Sequence, residues 1–256
     1  MTEIPAVDLG GGATMPMVGL GTWSLTGRRG YEAIRYALEA GYRHIDTATM
    51  YRNEHEVGRA LRDSGLDRGE VFVTTKLQPS DAARARATLS GSLRALDTGY
   101  VDLWLIHWPP RRPASVPLWR EFRTLRDEGL CRSIGVSNYD IARIDELIAA
   151  TGEHPAVNQI PWSPARYDPG LLAAHAGRGV AVEGYSPLQR TRLRDPVLAE
   201  IAARHQVTPA QVVLRWHLEH GITVIPKSSH PDRIKSNFDL VSFSLTPAEV
   251  ARLDHL

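Results

Sequence analysis

Four residues could do chemistry together: Asp46 and Tyr51 in the run DTATMY (46–51), Lys76 closing VFVTTK, and His107 in LIHWP. A carboxylate, a phenol, an ammonium and an imidazole, placed at or just past the ends of short apolar runs, can converge on one point. A free tyrosine has a pKa of about 10 and is a poor acid–base catalyst at neutral pH. An ammonium within hydrogen-bond reach favours the phenolate and brings that value down toward the working range. Lys76 is the candidate perturber. Asp46 would keep it charged, since a buried ammonium without a partner tends to lose its proton. His107, as a neutral imidazole, would donate a hydrogen bond to a carbonyl oxygen and orient it. None of the four is a reductant, so a hydride must come from a cofactor. The set points to carbonyl reduction.

Each residue alone has a plainer reading. Asp46 could pair with Arg43 or cap a turn, and Tyr51 could anchor a loop. Lys76 could be a surface lysine or the Schiff-base lysine of an aldolase-type barrel. His107, between Ile106 and Trp108, could be a satisfied core histidine. Taken together, at three consecutive strand ends, they favour a site.

What must position them is a set of parallel strands. Strand candidates fall at 17–23, 43–48, 71–76, 101–108, 132–138, 156–161, 180–186 and 222–228, with helical periodicity between them, as at 31–40, 82–96 and 195–205. Alternation of strand and helix implies parallel strands joined by right-handed crossovers. Several strands are nearly continuous apolar runs, as expected when both faces are buried. Eight such units in roughly 250 residues make a (β/α)8, or TIM, barrel the expected α/β fold. Its active site forms at the C-terminal ends of the strands, which lie about 4.8 Å apart.

Local signals support this parse. Asn53 and Glu56 look like a capping box, and Thr208-Pro209 and Thr246-Pro247 look like N-caps before a first-turn proline. Gly41, Gly129 and Gly221 sit where helices should end. An open doubly wound sheet would want GxGxxG at its first strand–helix turn. Instead Gly10, Gly11 and Gly12 precede the strand, while Gly19 and Gly21 lie within it. The segment before residue 17 is expected to form a small hairpin covering the barrel floor. No linker or repeat interrupts the pattern, so residues 1–256 are expected to form one domain.

Composition narrows the partners. The formal net charge of +1 recommends neither nucleic acid nor an anionic membrane. A single cysteine, Cys131, excludes an internal disulfide framework and a multi-cysteine metal site. No signal peptide or membrane-length apolar run is visible, so a cytoplasmic location is expected.

GYRHIDTATMYRNEHEVGRAL, VFVTTKL, YVDLWLIHWP, RSIGVSNY and VIPKSSHPDRIKSN, in this order, resemble the aldo-keto reductase family over about residues 5 to 254. The likeness is strongest to bacterial reductases of the 2,5-diketo-gluconate and methylglyoxal reductase type. It implies a catalytic tetrad of Asp46, Tyr51, Lys76 and His107, with Tyr51 as proton donor. NADPH would lie extended across the barrel mouth, with no Rossmann fold. The resemblance counts Thr22 among the cofactor-binding residues and places Ser137, Asn138 and Gln159 on the nicotinamide carboxamide, Tyr185 stacked on its ring, and Ser186 and Leu188 by the pyrophosphate. Lys227, Ser228 and Arg233 would clamp the 2′-phosphate, and Asn237 would touch the adenine. A lysine, a hydroxyl and a helix N-terminus near an arginine make an anion site on physical grounds too.

The chain also departs from the family pattern. Ser236 stands where an acid usually meets the adenine, Pro161 replaces a common glutamate, and Gln78 takes a place where tryptophan often lines the pocket. The chain stops at Leu256, where members usually continue with a tail, and the loop 189–195 is short. An open pocket is therefore expected, walled by Trp23 and Trp108 beside His107, for a small carbonyl substrate. A monomer is the default that the likeness implies. The rivals are a nucleotide-sensing or scaffolding protein of the same fold, the Schiff-base aldolase, and metal-dependent hydrolysis built on His44, Asp46 and His107; no metal is expected.

Overall fold

The computed structural model describes residues 4–111 and 115–256. A hairpin of β1 (Ala6–Asp8) and β2 (Thr14–Pro16) precedes the main sheet. That sheet runs β3 (Leu20–Gly21), β4 (His44–Asp46), β5 (Phe72–Leu77), β6 (Val101–Ile106), β7 (Cys131–Ser137), β8 (Val157–Pro161), β9 (Ala181–Tyr185) and β10 (Thr223–Val224). Neighbours pair in chain order, all parallel. Closure comes just before β3, where Val18 bridges Val224 in parallel. The Gly19 and Gly21 N–H groups donate to the Val224 and Pro226 carbonyls at 2.9 and 3.2 Å. The eight expected strands thus form the expected barrel.

Glycine is required at that seam. A Cβ on Gly21 would stand 2.7 Å from the Ile225 carbonyl oxygen, and one on Gly19 2.7 Å from His44 Nδ1. These two glycines bring the first and last strands together, which is a different task from cradling a dinucleotide.

Helices α1 (Gly27–Glu39), α2 (Glu54–Asp63), α3 (Ala85–Leu96), α4 (Ser115–Asp127), α5 (Ile141–Thr151) and α6 (Pro169–Ala176) fill successive crossovers. α7 (Pro196–His205) and α8 (Pro209–Glu219) share the connection from β9 to β10, and α9 (Pro231–Phe238) and α10 (Pro247–Leu253) follow. Thr208 with Gln211 and Thr246 with Glu249 form reciprocal capping boxes, as expected. Gly41, Gly129 and Gly221 all have positive φ at helix ends. The helix expected from residue 82 begins at Ala85, after a 3-10 stretch over Pro79–Arg84.

The capping box expected at Asn53 and Glu56 is absent. The buried Asn53 side chain accepts from Thr47 Oγ1 at 2.7 Å and donates to the Thr22 and Leu25 carbonyls at 2.9 and 2.8 Å. Glu56 Oε1 accepts from the Gly27 N–H at 2.6 Å. Both side chains tie the β4–α2 loop to the segment after β3, because distant buried carbonyls and N–H groups also need partners.

Outward-facing strand residues pack on the helices. Trp104 of β6 stacks on Phe122 of α4 with ring centroids 3.7 Å apart. Inside the barrel the floor is apolar: Met15 from the hairpin joins Phe72, Leu103, Leu105 and Val157. Above that plug the interior turns polar, with His44, Asp46, Thr74, Lys76, Gln159 and Glu183 all buried. A barrel this size is filled by side chains, so such groups must satisfy one another.

Candidate active site

Strand register builds the site. Asp46 pairs with Thr74, and Lys76, two residues on, pairs with Leu105. His107 lies two residues beyond Leu105, and its N–H donates to the Leu77 carbonyl at 2.9 Å. Each step to the next strand therefore climbs two positions. Because the side-chain period is two, all three residues point into the barrel. Tyr51 closes a 3-10 turn, Thr49–Tyr51, which Thr49 Oγ1 pins to the Lys76 carbonyl at 3.0 Å.

The four side chains meet. Lys76 Nζ donates to Asp46 Oδ1 and Oδ2, both at 2.7 Å, and to the Thr47 carbonyl at 2.9 Å. Tyr51 Oη lies 3.4 Å from the same Nζ. The Tyr51 ring stands edge-on to His107 at 5.8 Å and to Trp23 at 5.0 Å. Asp46 does not pair with Arg43, which donates to the Leu38 and Tyr42 carbonyls instead.

Charge states follow from burial. Burial alone would strip Lys76 of its proton, but the Asp46 carboxylate reverses this and holds the ammonium above its ordinary value. Burial pushes the Tyr51 phenol above its ordinary value and outweighs the opposing pull of Lys76. This corrects the expectation that Lys76 brings the tyrosine down toward neutrality. The lysine offsets part of the burial cost, and the phenol stays protonated.

Burial, with Lys76 nearby, pushes His107 down to about 3, so its imidazole is neutral. Its Nδ1 is buried without a partner. An orphaned N–H is the rarer and costlier arrangement, which assigns the proton to Nε2. The ring then offers its one donor where a carbonyl oxygen would sit.

A cavity of about 380 Å³ opens over this cluster. Trp23, Met50, Tyr51, His107 and Trp108 line it, together with Ser137, Asn138, Gln159, Tyr185, Ser186 and Lys227. Trp23 and Trp108 are 55% and 46% exposed, so they are pocket walls and not core. Gln78, at the place where the family pattern often has a pocket-lining tryptophan, is not among the lining residues.

Residues assigned to the cofactor by resemblance divide into two groups. Near the tetrad, Gln159 donates both ways through Nε2, to Asp46 Oδ2 and to Glu183 Oε2, each at 2.8 Å. Asn138, in the left-handed region at φ 62°, donates to the His107 carbonyl and accepts from Tyr185 Oη at 2.9 Å. Ser137 Oγ donates to the Gln159 carbonyl at 2.8 Å. Thr22 is fully buried with its hydroxyl on the Asp46 carbonyl at 2.9 Å, and it does not reach the cavity.

The second group gathers where α9 begins. Lys227 and Arg233 are exposed, while Ser228 and Asn237 are buried. The Arg29 guanidinium arrives from α1 to donate to Ser229 Oγ at 2.6 Å, adding a cation to the cluster. The acid in that first helical turn is Asp232. Three cations and a helix N-terminus suit a phosphate. Leu188 is half-buried past the exposed Ser186.

Sequence reasoning missed Met50, Arg29 and Glu183. Met50 had a signal, since it precedes Tyr51 in a turn too short to bury both. Glu183 had one as well: an acid inside the apolar run VAVEGY. Arg29 had none, because its partner lies 200 residues away.

The chain belongs to the aldo/keto reductase family, whose description matches residues 17–256. It is 42% identical over 260 residues to methylglyoxal reductase DkgA of Yersinia pestis, covering 100% of this chain and 94% of that protein. An aldo/keto reductase structure from Brucella melitensis superposes with a TM-score of 0.95 at 42% identity, covering 98% of this chain and 99% of that one. The Bombyx mori aldo-keto reductase in complex with NADP gives 0.91 at 34% identity, covering 99% and 93%.

Proposed function

We propose that this protein reduces small aldehydes or ketones to alcohols with NADPH, using Asp46, Tyr51, Lys76 and His107. The observation that carries the reading is the Tyr51 phenol, 3.4 Å from a lysine ion-paired with Asp46, at the base of a cavity with apolar walls. The residues present fit the dinucleotide. Gln159 turns both amide protons inward, which leaves its carbonyl for a carboxamide NH2, and Lys227, Ser228, Arg233 and Arg29 suit the 2′-phosphate. NADPH, when bound, supplies the hydride.

The protein's part is to orient and protonate. His107 Nε2–H holds the carbonyl oxygen, and Tyr51 Oη gives it a proton as negative charge develops there. Lys76 then stands beside the nascent tyrosinate and stabilises it, with Asp46 keeping the ammonium charged. Trp23, Met50 and Trp108 select by apolar contact at the mouth. Fully buried and hydrogen-bonded three ways, Lys76 is unsuited to Schiff-base attack, which needs an accessible neutral amine. The His44 ring is engaged by Pro16 and Thr74, away from any metal that Asp46 could share. A nucleotide sensor would need none of the tetrad. We further propose a single-domain monomer acting in the cytoplasm without nucleic-acid partners; no helix among the described residues is long and apolar enough to cross a membrane.

Titrating tryptophan fluorescence with NADPH and then NADH tests the cofactor, and NADPH oxidation with a carbonyl panel tests the reaction. Tyr51→Phe should lower turnover about 10²–10⁴-fold, the usual worth of a general acid, and leave NADPH binding nearly intact. Wild-type turnover in that variant would remove Tyr51 from the mechanism.

A further inference from the structure

Below the tetrad lies a carboxyl group that the reaction as described does not use. Glu183 of β9 is fully buried inside the barrel. Its Oε2 accepts from Gln159 Nε2 at 2.8 Å, the same nitrogen that donates to Asp46 Oδ2 at 2.8 Å. Its Oε1 is buried without a hydrogen-bond partner and stands 3.5 Å from His44 Nε2.

The His44 ring defines what Glu183 must be. His44 Nδ1 lies 3.1 Å from the Pro16 carbonyl, which can only accept, so the proton sits on Nδ1. Burial holds the ring neutral, with its pKa down at about 4. Nε2 is therefore a bare lone pair, facing Thr74 Oγ1 at 3.3 Å and Glu183 Oε1. A carboxylate oxygen there would meet that lone pair. Lys76, the cation acting on Glu183 among the described residues, is already bound by both oxygens of Asp46. A carboxylic acid whose O–H points at Nε2 removes both conflicts.

We infer that Glu183 is a positioning residue, kept as a neutral carboxylic acid, which fixes the Gln159 amide with its carbonyl toward the cofactor cavity and leaves Lys76 facing the single charge of Asp46. The inference rests on the reductase reading above. With one N–H on each carboxyl, Gln159 can present only its oxygen to the nicotinamide carboxamide. Ionisation would set a second carboxylate on that amide. It would face His44 and Asp46 of β4 and Lys76 of β5, with Asp102 of β6 acting on His44. The added negative charge acts on Lys76, the cation that stabilises the nascent tyrosinate, and so makes Tyr51 a weaker acid. Burial pushes the Glu183 carboxyl up to about 8, so mild alkali reaches this state.

Two variants test it. Glu183→Gln keeps an acceptor for Gln159 and a donor for His44, whereas Glu183→Leu keeps neither. Steady-state kinetics with NADPH and a non-ionising aldehyde would be followed from pH 6 to 10, and melting temperature from pH 5 to 9. Glu183→Gln should stay within about threefold of wild type at neutral pH and lose the alkaline fall in kcat that wild type shows around pH 8. Glu183→Leu should raise the KM for NADPH about tenfold, as expected when a buried amide loses its anchor.

The melting curves report on Glu183 without turnover. An acid neutral in the fold but ionised in the unfolded chain loses stability as pH rises from its ordinary value of 4.5 toward its folded value of about 8. The melting temperature of Glu183→Gln minus that of wild type should therefore grow between pH 5 and 8. A gap that does not change with pH would overturn the neutral acid, as would the same alkaline limb in both proteins. A wild-type KM for NADPH in Glu183→Leu would overturn the action through Gln159. A wild type that never oxidises NADPH would sink the reductase reading instead, while the melting gap would still decide the state of Glu183.

Discussion

Asp46 and Lys76 should behave as one unit, and a double-mutant cycle measures how strongly. Their side chains are 2% and 0% exposed. Asp46 offers acceptors only: Oδ1 takes Lys76 Nζ, and Oδ2 takes Lys76 Nζ and Gln159 Nε2. In Asp46→Asn, whichever way the amide turns, its NH2 meets a donor, and a buried ammonium loses its counter-charge. Breaking a buried pair from one side costs about 3–5 kcal/mol. In a chain of this size 1 kcal/mol moves the melting temperature by roughly 2–4 °C. Asp46→Asn should therefore melt roughly 6–20 °C below wild type at neutral pH. Lys76→Met should lose a similar amount, because it strands the carboxylate. The double variant carries no buried charge here and should melt no lower than the more stable of the two single variants, giving a coupling of at least about 3 kcal/mol.

The pH dependence of the same melts gives the sign. Wild-type Lys76 is held above its ordinary value of 10.5, so its contribution is complete below that value and lost as pH rises through the folded one. In Asp46→Asn the largest influence opposing burial is gone, so burial dominates and the lysine is depressed in the fold. Its penalty is then largest at neutral pH and fades as pH climbs toward 10.5, the value in the unfolded chain. The gap between wild type and Asp46→Asn, followed by circular dichroism or calorimetry, should narrow from pH 7 to 10. Single-variant losses that simply add in the double variant, or a gap constant with pH, would refute the reasoning.

Further outcomes follow from the cofactor clamp and the phenol. Arg233→Ala should weaken NADPH binding by roughly 10- to 100-fold, the worth of a charge-assisted contact, while NADH changes by less than about threefold; equal weakening would contradict the clamp. Because burial raises Tyr51 above its ordinary 10.0, alcohol oxidation, which needs the tyrosinate as base, should still be climbing at pH 10. A plateau by pH 8 would mean that Lys76, and not burial, sets the phenol's acidity.

Much of the fold was legible because its signals are local. Eight apolar runs separated by helical periods require parallel strands, and Thr208-Pro209 and Thr246-Pro247 cap helices through atoms three residues apart. Asn53 was misread for the same reason. Its composition fits a capping box, but partners at Thr22, Leu25 and Thr47 claim its side chain.

The sequence by itself determined the residue types at the strand ends, the order of the strands and the inventory of donors and acceptors. Asp46, Lys76 and His107 were identifiable because they fall at the ends of three consecutive strand runs, and Tyr51 because it follows Asp46 in the loop just past the first of these. Tertiary structure decided everything that depends on burial and on barrel closure. It set the net direction of the Tyr51 pKa, since desolvation depends on what covers the ring. It brought Arg29 to the clamp across 200 residues, and Glu183 to His44 and Gln159 across the barrel interior. Charge states follow solvent exclusion, and solvent exclusion exists only once the barrel has closed.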